Sequence, residues 1–289
     1  MKPLFKLVYN LVFFCVLLIL FACQTEEPPF EVQTAPQRRL TMIPGFGQYV
    51  LTHPKADKVL VHRETYTLND LSGELPVDLY YPPGYRFKKP LPAVVVVGGN
   101  INWSSSITLA ELLSGHGFLT IVPETLDMVK QDTPDPLASL ISHVLEDAPR
   151  LFIDSNRLAI WSEGHPSSLA LQVAMDRQHD FHDSLRAAVF ASPVMTFGKN
   201  NFDYDPAWIS PQLPVLITQG EEDSLYEVKT SIKLFMKAAA SAASAAAGAP
   251  AQVTHLKVPG GNHNWMTEQD TKASREAIRT EIEFLEKHL

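Results

Sequence analysis

Six short apolar runs restrict this chain to a narrow set of folds: "PAVVVVGG" (92–99), "FLTIVPE" (118–124), "RLAIWS" (157–162), "AAVFAS" (187–192), "LPVLITQG" (213–220) and "AQVTHLKVPG" (251–260). Such runs suit strands buried on both faces, and a sheet of such strands needs helices above and below it. Segments of helical composition or periodicity follow at 105–116, 136–148, 166–178, 226–243 and 267–288. Two earlier runs, "KVLVHRETYTL" (58–68) and "ELPVDLYYPPG" (74–84), are β-rich and joined by "NDLSG", which predicts an opening antiparallel hairpin. The pattern therefore predicts an α/β domain over 58–289, with a mostly parallel sheet and helices on both faces. At 289 residues, 45% of them hydrophobic, the chain can fill such a core.

Two segments fall outside this rhythm. Residues 193–212, "PVMTFGKNNFDYDPAWISPQ", form a long connection without clear helix, and loops of that length are often functional. The stretch 238–252, "AAASAASAAAGAPAQ", reads as a helix end with a tolerated surface extension.

The amino terminus has a separate logic. "MKPLFKLVYNLVFFCVLLILFAC" has a short basic start and an apolar run from Leu11 to Ala22, too short for a permanent membrane span and suited to a secretion signal. Its end, "LFAC", resembles a bacterial lipobox, which implies cleavage after Ala22 and lipidation of Cys23. Cys23 is then the sole remaining cysteine and has no intrachain disulfide partner. Residues 1–22 are read as the leader and 23–57, polar and proline-rich at first, as anchor and tether. The expected location is the bacterial cell envelope, extracytoplasmic and lipid-anchored. The formal charge of −8 becomes −10 once Lys2 and Lys6 leave with the leader, so nucleic acid is not an expected partner.

The order of these segments, with marked turns after three late strands, resembles the α/β-hydrolase superfamily, in the style of dienelactone hydrolases and prolyl-oligopeptidase-like esterases. In that family a strand enters the sharp turn G-x-S-x-G, and an acid and a histidine arrive from later strand ends. "LPVLITQGEEDSLY" resembles the acid segment and implies Asp223 as the triad acid; "VPGGNHNW" resembles the histidine loop and implies His263 as the base. The carboxylate orients the imidazole and stabilises its protonated form. Each residue also has a plainer reading, Asp223 as a helix cap and His263 as a surface loop residue.

The nucleophile turn departs from the pattern. "RLAIWSEGHPSSLAL" aligns without a gap to R-I-G-V-x-G-x-S-x-G-G-x-x-A-L, placing Ser162 at the first glycine, Glu163 at a variable position and Gly164 at the serine. His165 falls at the next variable position, and Pro166 and Ser167 at the paired glycines. Glycine can take the strained backbone of this turn but cannot attack a carbonyl. Ser162 is the alternative nucleophile, two residues and about 6–7 Å back along the strand. The resemblance also implies oxyanion donors at Gly99, Asn100 and the N–H of His165. All four tryptophans, Trp103, Trp161, Trp208 and Trp265, fall at or beyond strand ends, where a ligand cleft is expected, and Trp103, Trp161 and Trp265 are assigned to its wall.

The expectation is a lipoprotein that keeps a hydrolase cleft but binds or scaffolds without catalysis, its ligand a small ester, peptide or carbohydrate-like molecule. The alternative is an active serine hydrolase using Ser162. No cofactor and no metal site is expected, since His165 and His263 lack a nearby acid-rich motif.

Overall fold

The computed structural model describes residues 28–35, 48–67, 74–98, 103–124, 134–195, 209–245 and 251–289. Residues 1–22, expected from the sequence to be a leader, Cys23, Gly99, Asn100 and Trp208 lie outside the described residues, as does the side chain of Trp103. The described strands are β1 (Gln33–Thr34), β2 (Leu60–Thr67), β3 (Glu74–Tyr81), β4 (Leu91–Val97), β5 (Leu119–Pro123), β6 (Ile153–Glu163), β7 (Leu185–Ala191), β8 (Val215–Gly220) and β9 (Val253–Val258). The helices are α1 (Trp103–Gly115), α2 (Asp135–Glu146), α3 (Ala148–Leu151), α4 (Ser167–Met175), α5 (Tyr226–Ala245), α6 (Trp265–Glu268) and α7 (Lys272–His288).

The strands form one sheet in the order β1-β2-β3-β5-β4-β6-β7-β8-β9. β1, β2 and β3 pair antiparallel, and β3 also meets β5 antiparallel. From β5 onward every pairing is parallel. Val94 to Val97 explain why β4 sits at the centre: β-branched side chains fit a pleated surface, and all four are buried. One core gathers α2, α3, α4 and α5 on one face, and a second gathers α1, α6 and α7 on the other. α7 shows how the helices are fixed. Ala277, Ile278, Ile282 and Leu285 form its buried stripe, while the Thr271 side chain accepts from the Ser274 N–H at 3.1 Å and caps its start.

The β4–β6 boundary is where the crossovers reverse direction along the sheet. In open α/β sheets the crevice at the carboxyl ends of such strands is where ligands bind.

The amino-terminal segment differs from the expected tether. Gln33 and Thr34 pair with Val61 and Leu60, Phe30 stacks on His62 with ring centroids 3.9 Å apart, and Ala35 and Tyr49 are buried. Residues 28–35 and 48–57 are thus part of the folded body. A two-residue strand carries no period to read in a sequence, which is why composition alone assigns this region to a linker.

Candidate functional site

Each candidate residue owes its place to a strand end. β8 ends at Gly220 and delivers Asp223 into the following turn; β9 ends at Val258 and its loop delivers His263. The His263 Nδ1 lies 2.9 Å from Asp223 Oδ2. The other oxygen, Oδ1, accepts the Leu225 N–H at 2.9 Å, so both carboxylate oxygens are engaged. Asp223 is fully buried while the His263 side chain is 29% exposed, leaving part of the imidazole open to solvent. Its Nε2 has no hydrogen bond among the described residues. A carboxylate on Nδ1 holds the tautomer in which Nε2 can accept a proton.

The two loops are clamped by missing side chains. A Cβ on Gly220 would lie 2.2 Å from the Asn262 carbonyl oxygen and 2.3 Å from that of Gly261, and the Glu222 N–H donates to Gly261 O at 2.8 Å. Gly220→Ala is therefore expected to push the 260–264 loop away and to destabilise the protein by about 1–3 kcal/mol, the usual cost of overpacking. The checks are a lowered Tm together with loss of the downfield imidazole proton resonance of the His263–Asp223 bond. An unchanged resonance would show that the loops do not depend on this close approach.

Gly164 follows β6 at φ +63°, in the left-handed region that disfavours side chains. A Cβ built there meets nothing within 4 Å. The turn is held by neighbours: Gly164 N–H donates to Ala191 O at 3.2 Å, and Gly164 O accepts from Val194 N–H at 3.0 Å. α4 begins directly after it, with Pro166 at φ −58° supplying the fixed dihedral its first turn needs. The N–H of His165, at the head of this helix, makes no backbone hydrogen bond among the described residues, and the His165 side chain is exposed.

Ser162 points elsewhere. Strand alternation turns it to the α4 face, where its buried hydroxyl donates to Val97 O at 2.8 Å and accepts from Ser167 Oγ at 3.3 Å. It makes no hydrogen bond to His263 among the described residues. Trp161 and Trp265 require a correction as cleft walls, since both side chains are 0% exposed. Trp161 projects between the sheet and the α1/α7 layer, and Trp265 packs in the same core. Large aromatic side chains close this layer instead of lining a surface.

Glu163, which the motif treats as a variable position, is the residue that sequence reasoning missed. It turns to the face opposite Ser162, where Oε1 accepts from Ser105 Oγ and Oε2 from Tyr49 Oη, each at 2.8 Å. Burial pushes its carboxyl up, opposed by these two hydrogen bonds and by attraction to His263, which lies within electrostatic reach. Behind it Glu281 from α7 is fully buried and accepts a hydrogen bond from Thr218 Oγ1. Burial pushes Glu281 up to about 8, with the Glu163 charge acting in the same direction. A signal for Glu281 existed, for it occupies the apolar stripe of an amphipathic helix, between Ile278 and Ile282.

No family model and no curated protein matches the sequence. Solved structures do. A single-site mutant of the esterase rPPE superimposes with a TM-score of 0.66 at 15% identity, over 81% of this chain and 84% of that one. Esterase 2 of Thermogutta terrifontis, phosphorylated by paraoxon, gives 0.59 at 18% identity, over 78% and 94%. A double mutant of rPPE gives 0.66 at 14% identity, over 88% of each chain. With its antiparallel opening, its parallel sheet and helices on both faces, the chain has the α/β-hydrolase fold.

Proposed function

We propose that this protein is a lipid-anchored envelope protein that uses a hydrolase cleft to bind a small ester- or amide-like ligand without cleaving it. The observation that carries the reading is Gly164: where the resemblance expects the nucleophile, the chain after β6 takes a left-handed turn with open space for a side chain, yet the residue there has none. Asp223 and His263 serve the ligand instead of a serine, with His263 Nε2 as a hydrogen-bonding group at the crevice. The N–H of His165, at the positive end of α4 and without a backbone partner among the described residues, offers a donor to a carbonyl oxygen. Gly99 and Asn100 are proposed as the other side of this pocket.

Paraoxon supplies the test, because it marks a nucleophile by covalent transfer of its phosphoryl group, as in the Thermogutta esterase. The wild type is expected to gain no phosphoryl mass on exposure to paraoxon and to give no turnover of p-nitrophenyl acetate. It should nonetheless bind the ester's slow amide analogue in saturation-transfer NMR, with the signal lost in His263→Ala. Phosphorylation at Ser162, with hydrolysis lost in Ser162→Ala, would overturn the reading and establish a displaced nucleophile. The anchor is tested separately. Labelled palmitate should enter the wild type and not Cys23→Ser, and unchanged membrane attachment of that variant would reject lipidation.

A further inference from the structure

Outside the crevice, α5 and the sheet edge enclose a second groove, with a volume of about 530 Å³. Lys229, Ile232, Lys233 and Met236 line it from one face of α5, and Gln219, Glu221, His255 and Lys257 from β8, β9 and the turn after β8. The pleat explains the convergence. Gln219 points to the α5 side of β8, like Ile217, and His255 and Lys257 point to the same side of β9. On the helix, Lys229 and Lys233 are one turn apart and face them.

These side chains share an unusual condition. None of the three lysines forms an ion pair among the described residues, and Glu221 approaches none of them within 4 Å. Gln219 is only 5% exposed, yet its amide makes no hydrogen bond among the described residues. His255 Nε2 is buried and likewise has no partner among them. Buried polar groups are ordinarily satisfied, so the unpartnered His255 Nε2, with the largely buried Gln219 amide unbonded beside it, marks a place for a hydrogen-bonding ligand. Three uncompensated ammonium groups on a chain of formal charge −8 state what charge it carries.

We propose that the groove between α5 and the β8–β9 edge binds a phosphate-bearing ligand, held by Lys229, Lys233 and Lys257 and oriented by Gln219 and His255. Lysine suits a multiply charged tetrahedral group as a point charge, the Gln219 amide donates, and burial beside Lys257 lowers the His255 pKa, favouring a neutral imidazole that donates from one nitrogen. The volume exceeds that of one phosphate, so the ligand is a phosphorylated small molecule or a phospholipid headgroup. This site is independent of the reading of Gly164.

The test uses the full chain at low ionic strength. Calorimetric titration with inorganic pyrophosphate is expected to show one saturable site, weakened at least tenfold in Lys233→Gln/Lys257→Gln and in Gln219→Leu. The equally charge-reduced Lys55→Gln/Lys58→Gln should bind as the wild type does. In a second arm, cosedimentation compares phosphatidylglycerol with phosphatidylcholine vesicles. A preference for the anionic vesicles that disappears in Lys233→Gln/Lys257→Gln identifies the headgroup, and pyrophosphate binding without that preference identifies a soluble phosphate. Thermal melts show that the variants are folded. Absence of lysine-dependent binding in both arms, or equal loss in the Lys55/Lys58 variant, would overturn the proposal.

Discussion

Gly164→Ser is expected, on the proposed reading of this turn, to create a slow esterase activity that depends on His263. The new Cβ meets nothing within 4 Å, so the side chain has room. His263, oriented by Asp223 at 2.9 Å, is the general base on the proposed reading. Hydrolysis of p-nitrophenyl acetate should rise by about 10²-fold or more over the wild type, the lower end of what general acid–base catalysis supplies. Paraoxon should then phosphorylate residue 164, and adding His263→Ala should abolish both readouts. A side chain at φ +63° costs roughly 1–3 kcal/mol, so some loss of Tm accompanies the gain. A folded Gly164→Ser variant that neither turns over ester nor reacts with paraoxon would show that the Asp223–His263 pair is not arranged for this chemistry.

The second large effect is on stability against pH and comes from Glu281. Its carboxyl rises from an ordinary 4.5 to about 8 in the folded protein, chiefly because burial penalises the charge. Between those values the folded state holds a proton that the unfolded state has lost, so stability falls as pH rises through this window. The contribution is fully present below about pH 4.5 and is lost as pH passes about 8. Glu281→Gln removes the titration while keeping the shape and a group able to bond Thr218. Chemical denaturation should show wild-type stability declining by on the order of a few kcal/mol from pH 5 to 9. The variant should show a flatter profile and be the more stable protein at pH 9. Parallel profiles for the two proteins would mean that Glu281 does not titrate in this range.

The strand frame is legible in the sequence because the central strands are buried on both faces. An apolar run such as Val94 to Val97 leaves little alternative, and its limits are marked by proline and glycine. β6 shows the converse. Its first half, "IDSNR", is polar, so the sequence suggests a start at Arg157, whereas pairing begins with Ile153 opposite Leu91. Asp223 and His263 can be singled out because each follows a strand that ends at a glycine turn, and the structure brings them together. Glu163 cannot, since its importance comes from Tyr49 and Ser105, which are 114 and 58 residues away in the chain. Trp161 is misplaced for a related reason: a position near a strand end fixes how far along the sheet a residue lies, while pleat and neighbouring helix decide whether it meets solvent.

Tyr49 also changes what should be regarded as the unit that carries the site. Its phenol donates to Glu163 at 2.8 Å and its N–H donates to Thr108 at 3.1 Å, so a residue that precedes every central strand is bound to the residue beside Gly164 and to α1. The strand pattern sets the domain's beginning at residue 58, but a protein cut there would lose a buried aromatic ring and leave the Glu163 carboxylate short of a donor. The inheritable module therefore reaches back beyond its central strands. An exchange of this domain between proteins would have to take its amino-terminal strap along, and relatives sharing only the strand core would need another way to support the turn at Gly164.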